Sequence, residues 1–158
     1  MKIASVNELK AELNNLPAAE LVEICVRLTK YKKDNKELLN YLLFQSHDEQ
    51  GYVNSVKEEI IDSFIEVNRS NPYFAKKTIR KILRIANKYI KHTGSKQVEI
   101  ELLLHFCIVL KESGIAIEKN TALNNLYHAQ IRKIEKTIAT LHEDLQYDYR
   151  KELDKLTG

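Results

Sequence analysis

The chain has no tryptophan, one methionine, two cysteines, two prolines and four glycines in 158 residues. So little glycine and proline leaves too few turn formers for an all-β protein and excludes collagen-like or low-complexity chains. Long apolar runs are also missing. The longest, Leu102 to Leu110, is interrupted by His105 and falls short of the ~18 residues that span a bilayer, so no membrane association through a helical span is expected. The N-terminus turns polar within Met1 to Glu8 and lacks the apolar stretch of a secretory signal, which makes the cytoplasm the expected compartment. Cys25 and Cys107 lie in the apolar runs Ile24-Cys25-Val26 and Phe106-Cys107-Ile108, where a free cysteine behaves as a small hydrophobe. Both thiols are expected to be reduced and buried.

A chain of this length can bury about 68–70% of its unfolded surface, so its core needs no disulfide or metal staple. With 44% hydrophobic and 30% charged residues, the composition describes one soluble globular domain over residues 1–158.

Helical periodicity runs through that domain, and strand-like alternation does not. Ser5-x-x-Glu8 reads as a capping box opening a first helix to about Asn15, and Pro17 as a first-turn residue of a second helix to about Tyr31. Asp34 or Asn35 can cap a third helix from Lys36 to about Ser46, with Leu38, Leu39, Leu42 and Leu43 as its stripe. A fourth, from about Glu49 to Val67, carries Val53, Val56, Ile60, Phe64 and Val67, with Gly51 weakening its first turn. Asn71-Pro72 opens a fifth helix that buries Ile79, Ile82, Leu83, Ala86 and Ile90 and stops at Gly94; Ser95 caps a sixth that runs through Leu110 and stops at Gly114. From Asn120 onward, Leu123, Tyr127, Ile131, Ile134, Ile138, Leu141 and Leu145 recur at steps of four and three, as a packed or coiled-coil seam would. Neither proline nor glycine interrupts this segment before Gly158, so one long C-terminal helix over residues 120–156 is expected.

The expected fold is therefore all-α: antiparallel helical hairpins over residues 5–114, forming a small α-solenoid or an irregular bundle, followed by the long helix. Hairpin spacings of about 35 and 45 residues suit armadillo or HEAT units, but the segments show little self-similarity, so both architectures stay open. The last helix either packs back across the hairpins or projects and pairs with a second copy as a homodimer.

Glu8-Leu9-Lys10, Leu16 to Glu23 and Lys32 to Leu42 give about the first 45 residues a resemblance to uncharacterised all-helical bacterial proteins of a domain-of-unknown-function family. It implies helical hairpins and an interaction role, and it carries over no site residues.

Charge is the uneven property. Residues 1–68 hold 8 basic and 12 acidic side chains, residues 69–96 hold 9 basic and none acidic, and residues 97–158 hold 8 and 10. On a helical wheel Lys77, Arg80, Lys81, Arg84, Lys88 and Lys91 share an arc of about 100°, roughly opposite the apolar stripe, which makes them the candidate face for a polyanion or partner. Three readings compete: a solvated face, a dock for an acidic protein, and a dock for nucleic acid. The acidic stripe Glu58, Asp62 and Glu66 of the fourth helix could offset part of the charge, although those acids also lie opposite their own apolar stripe. Tyr73, Phe74 and Tyr89 fall at the start of the arc or toward the core, so base stacking has no support from the pattern.

Catalytic and metal-binding patterns are lacking. His105 and Cys107 point about 200° apart on a helix, and His128 and His142 are separated by about 21 Å along one. Glu58 and Asp62 lack the Glu-x-x-His partner of a carboxylate-bridged metal pair. G-x-S-x-G and G-x-G-x-x-G are both absent. The expectation is no catalytic residue, no metal and no cofactor: a non-catalytic interaction or scaffold protein with a protein partner. The alternative is sequence-nonspecific nucleic-acid binding through the helix spanning 72–93.

Overall fold

A computed structural model describes residues 1–157. They form eight α-helices, joined by loops and one short 3-10 turn at Ile117–Lys119, with no strand among the described residues. The fold is all-α. No helix among them is long and apolar enough to cross a membrane. Contacts divide the chain into two compact units, residues 1–44 and residues 45–158.

The first unit holds α1 (Val6–Asn14), α2 (Ala18–Tyr31) and α3 (Lys33–Phe44). The Ser5 box forms as its spacing predicts, with the Glu8 N–H donating to Ser5 Oγ at 3.2 Å and the Ser5 N–H donating to Glu8 Oε2 at 2.7 Å. Lys32 alone separates α2 from α3, and its extended backbone makes the corner. α3 accordingly starts at Lys33, earlier than Asp34 or Asn35 could cap it. Asn35 is instead used as a tie, its Nδ2 donating to the Leu28 carbonyl at 2.8 Å. Within α2 and α3, which pack on each other, only Tyr41 is buried. Cys25 is exposed on this hairpin, contrary to its apolar setting, because two helices alone cover only the faces they turn to each other.

The second unit holds the core. α4 (Glu49–Ile65) is capped by Asp48, whose Oδ1 accepts the Gly51 N–H at 3.0 Å. A Cβ at Gly51 would collide with that carboxylate, so the glycine makes room for the cap. α5 (Pro72–Thr93) ends on Gly94, which at φ 62° donates its N–H to the Ile90 carbonyl. α6 (Lys96–Glu112) follows at once, capped by Ser95.

α6 is the centre of this unit and packs against α4, α5, α7 (Thr121–Ile138) and α8 (Glu143–Thr157). Val98, Ile100, Leu102, Leu103, Leu104, Phe106, Cys107 and Leu110 are all buried, and the Phe64 and Phe106 rings meet at 5.7 Å. Polar ties on its flanks fix the register. The His105 Nε2–H donates to the Lys57 carbonyl, Thr137 donates to Glu99, and Tyr149 donates to Glu101.

The long C-terminal helix divides in two. The seam holds through Leu123, Tyr127, Ile131, Ile134 and Ile138, all buried. At residues 140 and 141 the bonds tighten to i−3, from the Thr140 N–H to the Thr137 carbonyl and from the Leu141 N–H to the Ile138 carbonyl. The Thr140 hydroxyl donates to the Thr137 carbonyl, and the Gln146 amide donates to the Leu141 carbonyl at 2.7 Å. Such side-chain bonds compete with helical continuation. The chain therefore turns, and α8 returns Leu153 and Leu156 to the core beside α6 and α7. The seam that could have projected toward a second copy is spent within the unit.

Candidate polyanion interface

α5 builds its two faces from one repeat. Ala75, Ile79, Ile82, Ala86 and Ile90 are buried on the inner stripe, where the helix meets α4 and α6. Lys77, Arg80, Lys81, Arg84 and Lys91 are exposed on the outer arc, and among the described residues none of them takes part in an ion pair. Lys88 is half-buried, with its ammonium 5.9 Å from the centroid of the Tyr89 ring. All six predicted face residues thus lie along one side of one helix, over about 21 Å from Lys77 to Lys91.

The acidic stripe of α4 does not neutralise this arc. Glu58, Asp62 and Glu66 are exposed and form no ion pair with α5. Glu59 reaches across to accept a hydrogen bond from the Tyr89 hydroxyl at 2.8 Å. The geometry follows from the wheel: each helix turns its charges away from its own apolar stripe, so the two charged faces diverge.

The start of α5 carries an exposed aromatic pair. Of the two placements the wheel offered, the start of the arc or the core side, Tyr73 and Phe74 take the first, at 63% and 50% exposure. Their rings meet edge to face at 5.5 Å, and the Lys76 ammonium lies 6.0 Å from the Tyr73 centroid. Asn71 fixes the pair, its Oδ1 accepting the N–H groups of Tyr73 and Phe74 at 3.0 and 3.3 Å. At 100° per residue Tyr73 falls inside the basic arc and Phe74 about 20° beyond its edge. The signal was present in that angle and was obscured by the position of both residues in the capping turn.

The other candidate groups stay apart. Among the described residues no three His, Cys, Asp or Glu side chains gather as a metal site would require. Cys107 is wholly buried and its thiol is pushed up to about 12 by desolvation. His105 is lowered from 6.5, chiefly by burial, with its bond to the Lys57 carbonyl opposing the shift. A recess beside α8, lined by Ile108, Lys111, Glu112, Glu152, Lys155 and Leu156, has its lysines engaged already: Lys111 donates to the Leu156 carbonyl and Lys155 pairs with Glu152.

Compared with protein-family models, curated proteins and solved structures, the chain matches none.

Proposed function

We propose that this is a non-catalytic helical interaction protein that docks polyanionic partners on the outer face of α5. The observation that carries the reading is the run of five exposed, unpaired cations on one arc, in a segment of 28 residues that contains no acidic side chain. A face that serves only solubility mixes both signs. Here Lys77 and Lys81, and Arg80 and Arg84, stand four residues apart with like charge, an arrangement that destabilises a helix by about 0.2–0.5 kcal/mol per pair. A bound anion relieves that repulsion.

Retention on immobilised heparin tests the reading. The protein is expected to be held at ~50 mM salt, where electrostatic association is strong. The combined variant Lys77→Gln, Arg80→Gln, Lys81→Gln and Arg84→Gln is expected to flow through. A control with the same net charge, Lys10→Gln, Lys30→Gln, Lys32→Gln and Lys36→Gln, is expected to stay bound. Equal elution of the two variants, or a wild-type protein that flows through, overturns the proposal.

A further inference from the structure

Granting the α5 face as a polyanion dock, we propose that its occupant is a single-stranded nucleic acid whose bases stack on Tyr73 and Phe74 while its phosphates run along the basic arc. The inference rests on the exposed aromatic pair at the start of that arc. Aromatic side chains bury 150–250 Å² each when they serve a core. Tyr73 and Phe74 leave 63% and 50% of their surface in solvent, while Ala75 beside them and Ile79 one turn on make the core contacts. Exposed aromatic rings on a cationic track are the two components of sequence-tolerant single-strand binding: the rings take base faces and the cations take the backbone.

The placement suits that use. Pro72 at the first helical position and the double cap from Asn71 hold the backbone of the pair rigid, so little entropy is lost when a base stacks. The edge-to-face contact leaves ring surface open on both residues, and Lys76 brings a cation to the same spot. From Tyr73 to Lys91 the track runs about 27 Å with roughly one positive charge per turn. A duplex keeps its bases stacked inside and would engage only the cations. An acidic polypeptide has the charge but lacks the flat π-faces that repeat along a nucleic-acid strand.

Fluorescence anisotropy with labelled oligothymidylate and with a duplex of equal length tests this on the full chain. The single strand is expected to bind more tightly. The variant Tyr73→Leu with Phe74→Leu, which keeps apolar bulk and removes the rings, is expected to lose about tenfold or more on the single strand and nothing on the duplex. Tyr73→Trp would provide the sole tryptophan of the chain, and its emission should be quenched by the single strand alone. Absence of single-strand preference, an unaffected leucine variant or an unquenched tryptophan overturns the stacking inference. So does stronger competition by polyglutamate than by oligothymidylate, which assigns the face to acidic proteins. If neither oligonucleotide binds while heparin is retained through the α5 cations, the single-strand inference fails and the docking face stands; if heparin is not retained either, both fail.

Discussion

Helices α5 and α6 follow each other across a two-residue corner and pack together, yet they relate to solvent in opposite ways. α6 buries eight of its 17 residues, spread over about 240° of its circumference. α5 buries five of 22, all on one stripe, and presents cations on the other side. A helix apolar all round belongs at a centre, and one with a single apolar stripe belongs at a surface. The lesson is that the same residue type has different meaning on the two helices: a phenylalanine on α6 is part of the fold, and a phenylalanine at the start of α5 is available to a partner.

Two truncations sharpen that contrast most. Phe106→Ala on α6 removes a ring with no exposed surface that packs on Phe64, and is expected to cost about 3–5 kcal/mol in chemical denaturation. Phe74→Ala on α5 removes the same group at 50% exposure and is expected to cost under about 1 kcal/mol. Similar losses at both sites would break the comparison. Oligonucleotide affinity should respond in the reverse order, with Phe74 the sensitive position.

A smaller effect comes from His105, which ties α6 to the Lys57 carbonyl of α4. Burial holds its pKa below the ordinary 6.5, so the unfolded chain takes up a proton that the folded chain declines. Its contribution to stability is fully present above pH 6.5. It falls as the pH drops from there toward the lowered folded value, and levels off below that value. Unfolding free energies measured between about pH 8 and pH 5 should show this decline, and His105→Gln should flatten it. Equal slopes in the two proteins would remove His105 from the account.

Local signals in the sequence carried most of the fold. Ser5 with Glu8, Asn71 with Pro72, Gly94 and Ser95 each act within one turn of the chain, so their spacing alone marks the helix ends. The break after Ile138 was hidden because it depends on which carbonyls Thr140 and Gln146 capture, and no proline or glycine marks it. Cys25 shows a second limit: periodicity tells which residues share an apolar face, not whether another element covers it. On the candidate site, the angular position of the six cations was legible from the wheel. The same angle placed Tyr73 in the arc and Phe74 just beyond it, but the position of both in the capping turn obscured their exposure.

The docking claim is tested most directly by the salt dependence of affinity for a single polyanionic probe, measured as cations on α5 are replaced one at a time. Each contact with a phosphate contributes roughly one unit to the slope of log K against log salt. The account predicts that Lys77→Gln, Lys81→Gln and Arg84→Gln each lower the slope by about one and add when combined, while the unfolding free energy stays within about 0.5 kcal/mol. A slope that is unchanged by these replacements, and lowered instead by replacing lysines of the first unit, would contradict it.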